Sequence, residues 1–344
     1  MTSDPLTDVW PFVSVLISTK DRRPDLAQAL ASLERQDYPR EHFEVIVVEE
    51  TGEPQAPPGV RYVAIPKEGR GFGYTRAVAL RHAQGPLVAF IDDDCEAEPS
   101  WLRELIAPLQ EDPAILGIAG VVRVRNANPI GICENILGFP GGGLAYLSQA
   151  DGRLVETRHL STCNCAYRAE ALDKVGGFPE VAPWSGEDYL VGRWVSRLGR
   201  CVYTPRAIVF HKPRGSFYRV FRWFIRRGRQ EVWLLRHHPD VAELRAGNLL
   251  GTSLILRAGA VVGLASLAGL PPLGTLGLLL LAYAGIQNLR YRFCWRYYRA
   301  VWLPVLLPLT KLTMGLGGEV GRWIEAARWA RDLAGGHVRS RGTL

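Results

Sequence analysis

The sequence predicts an α/β domain built on a mainly parallel sheet, followed by a C-terminal helical region suited to a membrane. Three observations predict it. Short apolar runs alternate with amphipathic helical patterns over roughly the first 205 residues, as in helix-covered parallel sheets. Residues 258–289 contain no charged side chain. Between these stretches lies a basic, aromatic-rich segment, with nine Lys or Arg against three acids from Lys212 to Arg245.

Composition narrows the alternatives. A chain of 344 residues has room for one large domain or two. It is 47% hydrophobic and 22% charged, so it can bury a core and is not wholesale disordered. Gly and Cys are too sparse for a collagen-like or disulfide-scaffold protein. The opening MTSDPLTDVWPF has no basic segment leading into an apolar one and does not read as a secretory signal. Cys95, Cys133, Cys163, Cys165, Cys201 and Cys294 form no CxxC pair and are expected to be reduced thiols.

The elements follow in order. Val13 to Ile17 reads as a buried strand. Asp25 to Glu34 reads as a helix with Leu26, Ala29, Leu30 and Leu33 on one face. Phe43 to Val48 and Arg61 to Ile65 are further strands, and Tyr74 to Ala83 is helical. Leu87 to Ile91 is a strand that runs straight into three aspartates. In such sheets ligands sit at the carboxyl ends of strands. That directs attention to Ser18-Thr19-Lys20-Asp21, Glu49-Glu50 and Asp92-Asp93-Asp94. Residues 126–159, with Gly141-Gly142-Gly143, are expected to form a loop able to close over substrate.

After residue 210 the character changes. Residues 211–248 read as basic aromatic interfacial helices. Residues 249–344 read as membrane helices. A bilayer core needs about 20 apolar helical residues per crossing, and Pro271-Pro272 would break one continuous helix. The expected arrangement is a hairpin over 250–289, with one span near 250–270 and a second near 273–289. Arg290, Arg292, Arg296 and Arg299 follow the second span, which puts both basic flanks on the cytoplasmic side. A third apolar stretch, 301–318, is interrupted by Pro304, Pro308 and Lys311, and an amphipathic tail runs from Gly321 to Leu333. The alternative is a pair of buried helices in a soluble domain.

Two clusters carry chemistry. Three adjacent carboxylates, Asp92 to Asp94, at the end of a buried strand repel one another unless a cation offsets them. Mg²⁺ or Mn²⁺ completed by phosphate oxygens is the natural partner; the alternative is a solvated acidic loop. Asp92 and Asp94 would share a face if the strand continued. The second cluster, Trp184-Ser185-Gly186-Glu187-Asp188-Tyr189, precedes a helical pattern. Glu187 and Asp188 could supply a general base, or simply cap the helix. Residues 69–73, GRGFG, do not fit the dinucleotide fingerprint, and no P-loop is present.

Together these segments resemble family 2 glycosyltransferases of the GT-A fold, a Rossmann-like architecture, over roughly residues 12–230. VSVLISTKDRRPDLAQALASLERQDYP is similar to that family's first strand and helix, and FEVIVVEE to its second strand, with Glu49 where an aspartate is usual. FIDDDCEAEPSWL matches its D-x-D motif and SGEDYLVGRWVSRLG its ED motif. Arg219-Val220-Phe221-Arg222-Trp223 partly matches the Q-x-x-R-W of membrane polysaccharide synthases, with Arg219 in place of the glutamine.

The resemblance implies roles. Thr19, Asp21, Glu49 and Arg76 would hold the nucleotide. Asp92 and Asp94 would hold Mg²⁺ or Mn²⁺, with Asp93 toward the sugar and His211 completing the metal shell. Asp188, beside Glu187, would be the base. Arg222 and Trp223 would approach the acceptor or the diphosphate, although Trp and Arg are equally natural anchors at a headgroup boundary. The expected protein is an inverting, membrane-anchored glycosyltransferase facing the cytoplasm. It would use a nucleotide-diphosphate sugar and a lipid-linked, polyprenyl-phosphate or glycan acceptor, with membrane lipids and no nucleic acid as partners. A processive polysaccharide synthase is a second reading, in which a homo-oligomer would complete the channel. A non-catalytic nucleotide-binding anchor is a third.

Overall fold

The computed structural model describes residues 10–21, 23–180, 186–245, 251 and 253–334. The opening nine residues, read above for a signal segment, and Trp184 and Ser185 of the second acidic motif lie outside the described residues. The chain divides into two compact units, one of residues 1–127 and 134–213, the other of 128–133 and 214–344.

The first unit is the α/β part. Its elements are β1 Val13–Thr19, α1 Arg23–Leu33, β2 Phe43–Glu50, β3 Arg61–Ile65, α2 Phe72–His82, β4 Leu87–Ile91, β5 Cys95–Ala97, α3 Trp101–Glu111 and β6 Ile115–Arg123. After α4 Pro129–Ile136, where the chain passes between the units, come α5 Gly143–Ala150, β7 Val155–Glu156, β8 Asn164–Arg168, α6 Ala169–Lys174, α7 Glu187–Leu198 and β9 Arg200–His211. Residues 126–159 are thus not a loop: the expected lid segment folds as α4, α5 and β7. Its glycines are spent on backbone geometry, with positive φ at Gly138, Gly141, Gly142 and Gly143.

The strands form one sheet in the order β3-β2-β1-β4-β8-β6-β9-β5, with β7 beside β9. β1 to β4 are parallel, β8 runs against β4, and β6 runs against β8 and parallel to β9. Two reversals restore the original direction, so the carboxyl end of β9 emerges on the same edge as those of β1, β2 and β4. The central strands β1 and β4 are buried along their whole length, as continuous apolar runs demand. Helices cover both faces. One core gathers Val15, Ile17, Trp101 and Leu105, the other Leu16, Phe90, Tyr167 and Val191. Cys163 lies in the first core and Cys165 in the second; residues two apart share a face within a strand, and these two part because Cys163 belongs to the turn before β8.

The second unit is helical: α8 Phe217–His237, α9 Leu254–Leu267, α10 Pro272–Arg290 and α11 Leu303–Ala334. α8 and α11 run parallel. Arg229 pairs with Glu325 at 3.0 Å, and seven residues further along each helix Arg236 bonds to Asp332. Their backbones approach closely because Gly228, Gly317 and Gly321 stand at the contact; a Cβ at Gly321 would overlap the Ile225 carbonyl. The third apolar stretch and the amphipathic tail are one continuous helix, despite the prolines. Pro304 occupies the second helical position, where no N–H is needed. Pro308 leaves the Pro304 carbonyl without its usual partner, and Asn288 Nδ2 donates to that carbonyl at 2.9 Å.

Of the expected span near 250–270, residues 250 and 252 lie outside the described residues. α9 has 14 residues, about 21 Å of helix, short of the roughly 30 Å bilayer core. Among the described residues α10 is the helix long and apolar enough to cross a membrane, by length and composition. α9 is seated by Glu319 of α11, which is 1% exposed. Glu319 accepts from Ser253 Oγ and from the backbone N–H groups of Leu254 at 3.0 Å and Ile255 at 3.3 Å. A buried carboxylate thereby satisfies the helix start.

Candidate active site

All the strand-end residues singled out in the first unit meet at one sheet edge. β4 ends at Ile91, so Asp92 to Asp94 form a turn rather than an extension of the strand. Their side chains consequently go three ways. Asp92 accepts from Arg76 Nη2 at 3.0 Å, Asp93 accepts from Thr19 Oγ1 at 2.6 Å, and Asp94 meets His211 Nε2 at 3.3 Å. The last contact follows from topology. The turn feeds straight into β5, whose Cys95 pairs with His211 at the end of β9, and the Lys212 N–H donates to the Asp94 carbonyl.

Arg76, on the buried face of α2, joins the two acidic motifs. Its Nη1 bonds to Glu187 and its Nη2 to Asp92. Burial works against the Arg76 charge, but Glu187 and Asp92 outweigh it and hold its pKa above the ordinary value. Burial pushes Glu187 up to about 7, with Arg76 pulling it back. Glu187 is 3% exposed, and its Oε2 has no hydrogen-bond partner among the described residues. Asp92 is also pushed up by burial, against the pull of Arg76. Its side chain keeps 31% of its surface open, so water screens that push.

Arg76→Met is expected to destabilise the protein by about 3 kcal/mol near neutral pH, because it strands a buried carboxylate. The sign of the pH dependence follows. Glu187 titrates higher folded than unfolded, so the protonated carboxyl favours the fold, and stability is lost as pH rises through the folded value. Without Arg76 that value climbs further. Thermal unfolding between about pH 5 and 8 should therefore show a steeper decline for the variant than for the parent.

Asp188 stands differently. It lies in the first turn of α7 and accepts from the Tyr189 N–H at 2.8 Å and from Ser161 Oγ at 3.4 Å. Of the adjacent pair, Glu187 is turned into the protein to hold Arg76, and Asp188 is half-buried. Ser161 was not signalled by any sequence pattern.

Of Thr19, Asp21, Glu49 and Arg76, Asp21 lines a cavity of about 560 Å³, together with Arg23, Thr51, Glu53 and Lys67 among others. Lys67 meets Asp21 at 2.6 Å. Glu49 is 1% exposed, accepts from the Tyr62 hydroxyl at 2.6 Å and has Arg23 Nε at 3.7 Å. Lys20 pairs with the neighbouring Glu50 at 2.8 Å. A second cavity, of about 300 Å³, is lined by Asp94, His211, Arg125, Lys212 and Asp25 among others.

Ligand atoms of Asp94, His211 and Cys95 all lie within 4.8 Å of one another. For a hard cation the Asp94 carboxylate and the His211 imidazole are better donors than the Cys95 sulfur. Such an oxygen and nitrogen set fits Mn²⁺ or Mg²⁺. Arg222 and Trp223 belong to the second unit, on α8. Arg222 lies over the Tyr218 ring at 5.6 Å and Trp223 has Arg214 over its ring at 4.1 Å.

Residues 14–176 match the profile of the family described as Glycosyl transferase family 2. Glycosyltransferase AglE of Haloferax volcanii is 23% identical over 248 residues, covering 67% of this chain and 77% of that protein. A glucosyl-dolichyl phosphate glucuronosyltransferase of the same organism is 26% identical over 158 residues; the match covers 42% of this chain and 49% of that one, about half its length. Among solved structures, the mannosyltransferase PcManGT from Pyrobaculum calidifontis, in complex with GDP-Man and Mn²⁺, superposes with a TM-score of 0.59 at 22% identity, over 90% of this chain and 87% of that one. At that identity the likeness is one of fold.

Proposed function

The chain belongs to glycosyl transferase family 2, and from that premise we propose that it transfers a sugar, with inversion, from a nucleotide-diphosphate sugar to a lipid-linked or polyprenyl-phosphate acceptor at the cytosolic membrane face. The observation that carries this reading is the meeting of Thr19, Arg76, Asp92 to Asp94, Asp188 and His211 around one sheet edge. Thr19, Asp21, Glu49 and Arg76 hold the nucleotide, and the cavity beside Asp21 has the volume for a nucleoside. Asp92, Asp94 and His211 hold Mg²⁺ or Mn²⁺, and Asp93, fixed by Thr19, faces the sugar. Bound there, the cation offsets charge on the departing diphosphate.

Asp188 takes the proton of an acceptor hydroxyl; a phosphate acceptor arrives already ionised and needs only orientation. The acceptor oxygen bonds to the anomeric carbon as the bond to the diphosphate oxygen breaks on the opposite face, so configuration inverts. Glu187 acts through Arg76 as a positioning residue. Arg222 and Trp223 are assigned to the acceptor or the diphosphate.

The lipid-linked acceptor is supported by α10, whose apolar side chains Leu273, Leu278, Leu281 and Leu289 are each at least 67% exposed, a surface that water does not favour. The test is a panel of nucleotide sugars. Release of nucleoside diphosphate is expected to require a divalent metal and to rise when polyprenyl phosphate is added. Nucleotide binding with no sugar release from any donor would replace this reading with that of a non-catalytic anchor.

A further inference from the structure

At the end of α10, in the second unit, an apolar surface runs straight into a basic one. Ile286 and Leu289 are exposed, and so are Arg290, Arg292, Arg296 and Arg299, which follow them. Trp295 and Tyr297 stand among these cations, also exposed.

The backbone fixes this arrangement. Arg292–Arg296 form a 3₁₀ helix, in which side chains three apart fall in line. Tyr291, at its start, and Cys294 share the inward line and are buried. Arg292 with Trp295, and Phe293 with Arg296, take the other two lines. The Tyr297 and Tyr298 N–H groups both donate to the Cys294 carbonyl at 2.9 Å. The Asn288 bond to the Pro304 carbonyl ties the end of α10 to the start of α11. The cations therefore stand on a braced corner.

No acid meets them. The sequence has no Asp or Glu between Glu243 and Glu319, and Glu319 is buried at the start of α9. Among the described residues, the side chains of Arg292, Arg296 and Arg299 have no ion pair, hydrogen bond or ring partner, and Arg290 has the Tyr291 ring at 5.9 Å but no carboxylate. Arg290 has a local reason for its place, since a cation is favoured at a helix C-terminus. Plain solvation would account for the other arginines. It does not account for Trp295 and Tyr297, nor for the leucine face of α10 behind them, which water does not favour. At a bilayer surface these features belong together: apolar side chains in the hydrocarbon, Trp and Tyr at headgroup depth, and cations against lipid phosphates. A nucleic acid would satisfy the cations and leave the apolar face uncovered.

We propose that Arg290, Arg292, Arg296 and Arg299, with Trp295 and Tyr297, form a docking surface for anionic phospholipid headgroups. The proposal rests on the membrane part of the function proposed above and adds a lipid preference to it.

The full chain, purified in a neutral detergent, is titrated at low salt with phosphatidylglycerol or phosphatidylcholine in mixed micelles, and the lipid retained per chain is counted after gel filtration. Phosphatidylglycerol is expected to bind more tightly. Arg292→Gln, Arg296→Gln and Arg299→Gln combined should lower its affinity on the order of 100-fold, about fivefold for each cation at a lipid surface. Salt at about 1 M should act on the parent in the same direction. Arg35→Gln, Arg153→Gln and Arg158→Gln combined, at exposed positions of the first unit, remove the same net charge and should leave the affinity unchanged. Equal affinity for the two lipids, undiminished phosphatidylglycerol binding by the first triple variant, or an equal loss in the second, would overturn the surface while leaving the membrane reading intact. A single-stranded oligonucleotide that displaces phosphatidylglycerol from the parent, and fails to bind the first variant, would assign the surface to nucleic acid instead. A chain that stays monodisperse once detergent is removed would remove both the surface and the membrane reading.

Discussion

Asp188→Asn is expected to lower sugar transfer by about 10²- to 10⁴-fold, the usual worth of a positioned general base, while metal-dependent nucleotide binding persists. The geometry makes this a clean substitution. The Tyr189 N–H reaches Asp188 Oδ1 at 2.8 Å, and an asparagine carbonyl can accept the same bond. Ser161 Oγ, at 3.4 Å from the other oxygen, can adjust to an amide. The change removes one negative charge and the capacity to take a proton, and little else. With a hydroxyl acceptor the loss should fall on kcat, because the base acts only as the acceptor oxygen attacks. With a phosphate acceptor, already ionised at neutral pH, the loss should be much smaller. The two acceptors assayed side by side therefore report both the role of Asp188 and the acceptor class. Undiminished turnover with a hydroxyl acceptor would remove Asp188 as the base. Glu187→Gln is the natural control. It should act through Arg76 on stability, since Glu187 itself is 3% exposed and cannot reach substrate without leaving its partner.

What the sequence discloses and what it conceals divide along physical lines. Strands β3 and β4 fall on the expected residues, Arg61 to Ile65 and Leu87 to Ile91, because each is an apolar run closed off by polar or turn-forming neighbours. The carboxyl-end rule found Thr19, Glu49 and Asp92 to Asp94 from the strands alone. The links between them are long-range. Arg76 and Glu187 are 111 residues apart, and nothing local in either segment announces a shared ion pair. His211 reaches Asp94 only because two sheet reversals turn β9 to the same edge and Cys95 then pairs with it. In the second unit, proline was a misleading signal. Pro304 and Pro308 suggested interruption, yet one sits where a helix tolerates it and the other's cost is met by Asn288 from α10, a partner that composition does not reveal. The glycines of residues 138–143 misled in the opposite sense, since positive φ inside a compact helical segment looks the same in sequence as a mobile loop.

Asp94→Asn is expected to weaken metal binding and to remove most of the activity, and chelation of the parent protein should remove activity reversibly. The donors within reach explain the magnitude. Asp94 and His211 stand 3.3 Å apart, His211 Nδ1 has no hydrogen-bond partner among the described residues, and Cys95, beside them, offers only sulfur, a poor ligand for a hard cation. Replacing the carboxylate of Asp94 by an amide therefore leaves the His211 imidazole and Asp92, whose Oδ1 is already engaged by Arg76. Metal stabilisation of a departing diphosphate is worth several kcal/mol, and about 3 kcal/mol corresponds to roughly 150-fold in rate. Excess Mn²⁺ should recover part of the lost turnover in Asp94→Asn, because a weakened site can still fill by mass action, whereas it should recover nothing in Asp188→Asn. Direct titration of the protein with Mn²⁺, followed by its electron spin resonance signal, separates the effects further: Asp94→Asn should weaken binding and Asp188→Asn should not. If Mn²⁺ binds equally well to the parent and to Asp94→Asn, the turn after β4 is not the metal site.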